Sequence, residues 1–347
     1  MMKRIVIHRA GGYEELKLEE AEGLRAEAGQ VVVSVKATGV NYADVAVRWG
    51  LYESARQMVG WPITPGFEFS GVVRSCGAGV RKFGPGQKVL GVSLFNAYAS
   101  EVAVPEHQLY TLPEGMSFEE GAAFPAVFMT AYHALFQNVI TRPGMKALIH
   151  SAAGGVGSSL VQLCRISGIE SIGVVGASHK VEAVRGLGCD HVIDKSKEDL
   201  WKKVEAYAPE GVDLAFDANG VETLKQSYRH LAPCGKLVSY GAHTMLPKSG
   251  GKVNWPRLVL AYLRTPRFNP LHMTSENKSL ITFNLSFLFG RRDLFTEAMG
   301  ALLAWYEAGK LVLPQIKSFP LSQVGEAHLA LESGMTIGKL VLIPEQT

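Results

Sequence analysis

The chain has 347 residues but only four cysteines, Cys76, Cys164, Cys189 and Cys234, and no Cys-x-x-Cys pair. That excludes a zinc ribbon, a thioredoxin-type dithiol and a secreted disulfide framework, and it points to a reducing, cytoplasmic setting. Charge of one sign is also missing: 35 Lys and Arg stand against 32 Asp and Glu, and no five basic residues run together. No nucleic-acid partner is expected from such a balance. The ten histidines show no His-x-x-x-His spacing, so no metal site is expected from them. The apolar stretch behind Lys3 and Arg4 is too short for a secretory leader. Gly121 to Thr141 carries no charged side chain, yet Pro125, Thr130, His133, Gln137 and Asn138 interrupt it, which predicts a buried helix rather than a membrane span. Glycine is plentiful, at 37 residues without a short period, so many tight turns or close backbone approaches are needed.

The first 112 residues read as short strands separated by Gly- and Pro-rich turns, as in the β-branched run Val31 to Val35 and the pieces Phe69 to Arg74, Lys88 to Val92 and Glu101 to Val104. At Ser117-x-x-Glu120 a capping box opens a long apolar helix. Strand and helix then alternate to Tyr240, which predicts a doubly wound parallel sheet. Leu246 to Ser279 breaks the rhythm as an insertion, with the basic-flanked apolar run Trp255 to Leu263 suited at most to a surface. A helix at Asp293 to Ala308, strands at Leu311 to Ile316 and Lys339 to Ile343, and a helix at Gln323 to Leu331 complete the pattern.

Between a predicted strand and a predicted helix lies His150-Ser151-Ala152-Ala153-Gly154-Gly155-Val156-Gly157. This is the setting of a dinucleotide turn: Ala153 to Val156 would cradle a pyrophosphate, Gly157 would let helix and strand pack closely, and the helix N-terminus supplies N–H donors. Ala152 replaces the first glycine of the strict pattern. The next strand ends Val174-Val175-Gly176-Ala177-Ser178-His179-Lys180 with no carboxylate before Glu182. An NAD site usually has an acid there, whereas Lys180 suits a 2′-phosphate, so NADPH is the expected cofactor, held also by Gly176 and Ser178.

Gly39-Val40-Asn41-Tyr42-Ala43-Asp44, Gly50-Leu51-Tyr52, Pro65-Gly66-Phe67-Glu68-Phe69-Ser70-Gly71, the glycine turn and Gly338-Lys339-Leu340-Val341-Leu342-Ile343-Pro344 follow one another in a family's order. With them the chain resembles the zinc-free quinone oxidoreductase (zeta-crystallin-like) branch of the medium-chain dehydrogenase/reductase superfamily. Its insertion and Phe283-Asn284-Leu285-Ser286 resemble the vesicle amine transport protein homologues of that branch. The resemblance implies an α/β fold: a GroES-like β-barrel catalytic domain over 1–126 and 311–347, and a Rossmann domain over 127–310 with the insertion at about 246–279. It implies a homodimer through an edge strand, for which Ile281 to Phe287 is the candidate. Zinc-dependent members place Cys, His and Cys where this chain has Asn41, Phe67 and Ala126, so no metal is expected.

The resemblance gives Asn41 and Tyr52 the catalytic pocket. It gives Thr130, Gly241, Phe283 and Asn284 the cofactor, and Asp44 the Asn41 loop or helix cap. Two departures stand out: the tyrosine that helps bind the 2′-phosphate is Lys195 here, and an expected arginine falls at Gly334. Lys195 and Lys339 are the cations left to compensate. The resulting expectation is a zinc-independent oxidoreductase moving hydride from NADPH to a small molecule, a quinone or α,β-unsaturated carbonyl. The alternative, motivated by the insertion, is an NADPH-binding membrane-associated or regulatory protein with little turnover.

Overall fold

The computed structural model describes residues 1–245 and 254–345; the start of the expected insertion, 246–253, lies outside the described residues. Seven strands open the chain: β1 Met2–Val6, β2 Lys17–Ala21, β3 Gln30–Val40, β4 Glu68–Cys76, β5 Lys88–Val92, β6 Glu101–Pro105 and β7 Leu109–Thr111. Six more follow with helices between them: β8 Lys146–Ile149, β9 Glu170–Val175, β10 His191–Asp194, β11 Val212–Asp217, β12 Leu231–Ser239 and β13 Ser279–Thr282. The last two are β14 Ile316–Pro320 and β15 Lys339–Ile343.

Strands from the two ends of the chain share one sheet, ordered β14-β15-β3-β4-β5-β7, with β6 also on β3. Val31, Val33 and Val35 of β3 face one apolar cluster with Phe69, Val89 and Val102. The middle strands form a parallel sheet ordered β10-β9-β8-β11-β12-β13, in which the order of strand addition reverses between β8 and β11. Ala147, Leu148 and Ile149 of β8 are all fully buried, as a parallel strand covered on both faces requires. The reversal leaves a crevice at the carboxyl ends of the strands, the usual ligand position in such sheets.

Three expectations need correction. The capping box is present, with Ser117 Oγ accepting from the Glu120 N–H at 3.1 Å and Glu120 Oε2 from the Ser117 N–H at 2.7 Å. It opens only Phe118–Ala123, however, because Pro125 has no N–H to continue the ladder and begins a second helix, Pro125–Tyr132. No helix among the described residues is long and apolar enough to cross a membrane. The strand expected at Leu311 to Ile316 begins only at Ile316, where it pairs in parallel with Lys339. Upstream, Val312 bonds through both its N–H and C=O to the Gln162 side chain, so a side chain takes the place of a neighbouring strand. The edge strand expected at Ile281 to Phe287 runs Ser279–Thr282 and gives way to a helical turn at Leu285–Leu288, started by Asn284 capping the Ser286 N–H.

Within the inserted segment, helix Trp255–Arg264 leaves Trp255, Val259, Leu260, Tyr262 and Leu263 exposed.

Candidate functional site

A cavity of about 790 Å³ runs between the two sheets and is bounded by residues from both. One wall is the glycine turn at the start of helix Gly155–Ile166. A Cβ on Gly157 would meet Ser151 O at 2.3 Å and Ala152 Cα at 2.8 Å, so only glycine lets the helix sit this close to the strand. Gly155 is required by Val127 of the neighbouring helix, 2.6 Å from its would-be Cβ. A Cβ on Gly154 would have only Ser151 O nearby, at 3.2 Å. The backbone is thus free to approach a ligand at Gly154, and the first-turn residues Gly155, Val156 and Gly157, whose N–H groups lie at a helix start, line the cavity. The cradle fits a pyrophosphate.

At the far end of this wall, Gly176, Lys180 and Lys195 line the cavity together. Lys180 is buried and donates to Gly334 O at 2.5 Å, and burial followed by the nearby Lys195 ammonium holds its pKa below the usual lysine value. Two like charges held together at the end of β9 fit an anion between them. Ser178 is not among the cavity's lining residues: its hydroxyl donates to Asp194 at 2.6 Å, a carboxylate from the next strand that the sequence reading did not pair with it.

The other end of the cavity is built by the barrel. Asn41, Tyr52 and Thr130 line it with Gly241, Phe283, Asn284 and Lys339, so residues far apart in sequence meet there. Asn41 precedes helix Tyr42–Arg48, and Asp44 accepts from the Asn41 and Gly66 N–H groups, each at 2.8 Å. Burial pushes the Asp44 carboxyl up to about 7 against the pull of those two N–H groups. Glu68 is fully buried: Oε1 takes Asn41 Nδ2 at 2.9 Å and Lys339 Nζ at 2.7 Å, and Oε2 takes the Ala126 N–H at 2.7 Å. Lys339 Nζ also donates to Asn41 Oδ1. Tyr52 donates to Asn284 Oδ1 at 3.0 Å, and its pKa is raised by burial, so its proton is firmly held. Ser286 Oγ lies 2.8 Å from Ser54 Oγ, a second contact across the same side of the cleft. Thr130 spends its hydroxyl on Ala126 O at 2.6 Å.

Phe67 and Ala126 also line the cavity and offer no metal-binding side-chain atom. Among the described residues no group of three or more His, Cys, Asp and Glu could hold a metal ion. The donor set at this position does not fit zinc. Sequence reasoning missed Asn219 and Glu332, both on the cavity wall. Asn219 had a signal, since Asp217-x-Asn219-Gly220 is a turn in which Asp217 Oδ1 accepts from both following N–H groups. Glu332 had none; it arrives from a late helix, paired with the fully buried Arg48.

Comparison with known proteins agrees with this architecture. Residues 27–114 match the alcohol dehydrogenase GroES-like domain family, and residues 187–342 match the family described as zinc-binding dehydrogenase. The synaptic vesicle membrane protein VAT-1 homolog of Danio rerio is 36% identical over 346 residues, 99% of this chain and 70% of that protein. The 2-haloacrylate reductase of a Burkholderia species is 32% identical, covering 99% of this chain and all of that protein. Among solved structures, the Escherichia coli quinone oxidoreductase complexed with NADPH superposes with a TM-score of 0.85 at 28% identity, covering 99% of this chain and 100% of that one. Cavity, cradle and relatives together place this chain in the medium-chain dehydrogenase/reductase superfamily of oxidoreductases, in its zinc-free quinone oxidoreductase-like branch.

Proposed function

We propose that this protein binds NADPH in the cavity and reduces a quinone or an α,β-unsaturated carbonyl without a metal. The observation that carries the reading is a single cleft that joins the Gly154 cradle and the Lys180–Lys195 cations to Asn41, Phe67 and Ala126. NADPH, held by the Gly154 cradle and the Lys180–Lys195 cations, would supply a hydride to the acceptor's β-carbon and leave as NADP⁺, the double-bond pair would go to the carbonyl oxygen, and solvent would supply the proton. A simple alkoxide needs a Lewis acid, whereas an enolate or quinolate spreads its own charge, so a site without zinc suits conjugated acceptors. Residues 1–126 and 311–347 form the acceptor side and 127–310 the cofactor side in this reading. The open edge of β13 is the surface for a homodimer.

The experiment is NADPH oxidation with a panel of benzoquinones, naphthoquinones and short enones, with and without a chelator. Turnover that survives chelation supports the reading, and a requirement for added Zn²⁺ overturns it. A second reading, a membrane-surface protein with little turnover, draws on the exposed apolar side chains of helix Trp255–Arg264 and on the vesicle-protein relatives. Co-sedimentation with anionic liposomes, compared between the full chain and a Val259→Glu/Leu263→Glu variant, separates the two.

A further inference from the structure

Glu68 and Lys339 form an ion pair almost wholly out of water, at 0% and 3% side-chain exposure, beside the substrate end of the cleft. Such a pair is a poor source of stability, because desolvation offsets most of its attraction, so its place in the fold calls for another account. Both partners grip one carboxamide. Lys339 can only donate and must face Asn41 Oδ1; Glu68 can only accept and must face Nδ2. The amide therefore has one satisfying orientation, and its flip is fixed by chemistry rather than by choice. One Nδ2 hydrogen is spent on Glu68, and the second has no partner among the described residues while Asn41 lines the cavity. An ammonium carries three N–H groups, and Lys339 uses two of them, on Glu68 and Asn41. Its Cδ lies 3.8 Å from the would-be Cβ of Gly155, which keeps it next to the cofactor cradle.

We propose that Glu68 and Lys339 are positioning residues that lock the Asn41 carboxamide with its free N–H turned to the acceptor's carbonyl oxygen, forming an electrophilic subsite for a conjugated ketone, aldehyde or quinone. The subsite deepens the reductase reading and rests on it. As the electron pair reaches the carbonyl oxygen, a preorganised donor stabilises the new negative charge without reorganisation. Loss of the lysine removes one of the two anchors, and loss of both leaves the amide free to rotate and to present its oxygen to that charge, which repels it.

The test compares Lys339→Met, the neutral pair Lys339→Met/Glu68→Gln and Asn41→Ala. Single-turnover reduction of an enone at saturating NADPH should fall about 100- to 1000-fold in each, the range for removal of one oxyanion donor. The dissociation constant for NADPH should stay within about twofold. The loss should be smaller for a benzoquinone, whose ring delocalises the charge. Dimethylaminocinnamaldehyde gives a readout without turnover: a hydrogen bond to its carbonyl red-shifts the bound dye in wild type, and that shift should vanish in all three variants. If the dye shift is lost but no acceptor is ever reduced, the subsite stands and the reductase reading fails. Should the Lys339→Met protein fold poorly, the neutral pair carries the test, since it leaves no unpaired buried charge. Weakened NADPH binding with an unchanged saturated rate would instead make Lys339 a phosphate ligand and overturn the proposal. An unchanged rate and dye shift in the neutral pair would also overturn it.

Discussion

Replacing Lys180 by alanine should convert an NADPH-preferring site into one that no longer distinguishes the two nicotinamide dinucleotides well. Lys180 has one N–H on Gly334 O, which leaves two for an incoming oxygen. A hydrogen bond to a charged group contributes roughly 1.5–3 kcal/mol. At about 1.4 kcal/mol per decade, that is a weakening of about 10- to 100-fold for NADPH. NADH has no phosphate at that place and should change by less than about twofold. Lys195 is exposed, so its share is screened and its alanine variant should cost only about threefold, with a steeper dependence on ionic strength. The two effects should not add, because the Lys195 ammonium now raises the cost of keeping Lys180 charged. The assay is titration of nicotinamide fluorescence at two salt concentrations for wild type, both single variants and the double. Equal weakening of NADPH and NADH, or an unchanged ratio between them, would refute the phosphate assignment.

Gly154→Ala and Gly157→Ala should separate ligand from fold. The second drives a methyl into Ser151 O and Ala152 Cα, both backbone, and should cost about 1–3 kcal/mol in urea unfolding. The first should leave stability within about 0.5 kcal/mol and weaken nucleotide binding; the reverse pattern would remove the cradle reading. His328 is held down to about 3 by burial and by Arg48, so the folded protein keeps it neutral. Its contribution is present above about pH 6.5 and is lost as pH falls towards 3, by at most ~1.4 kcal/mol per pH unit. His328→Gln can serve Arg48 and Tyr98 without titrating, so its unfolding free energy should fall less steeply across that window. Asp44, raised by burial, acts in the opposite direction, but it does so in both proteins and cancels in the comparison. Parallel pH curves would show that His328 is not what the acid limb reports.

Most of the parallel sheet was legible because its signals are local: apolar strands, glycine at the helix start, and alternation at regular spacing. The capping box at Ser117 was legible for the same reason, and the helix break after it comes from Pro125, which interrupts the apolar run and has no N–H for the helix ladder. The errors in the tail share a cause. Leu311 to Ile316 has the composition of a strand, but pairing is decided by a distant partner, and that partner meets the chain only from Ile316 onward. At the site, the glycine turn and Lys180 could be read from neighbours in sequence. Lys339 could be found but not understood, since its partners lie 271 and 298 residues away and no local pattern relates them. Ser178 reads as a ribose or phosphate donor until the next strand brings Asp194 to its hydroxyl.

The glycine turn and the last strand are joined by a single β-bridge, Gly154 to Gly338, with the Gly338 N–H on Ala153 O at 3.0 Å. Gly338 has a φ of +72°, and a Cβ there would meet Gln315 O at 2.2 Å, so no other residue can occupy the crossing. The bridge ties the cradle directly to the strand that carries Lys339. Lys339 is the next residue along, so its place beside the cradle is set by this one crossing, and a change at Gly338 would disturb both walls of the cavity at once.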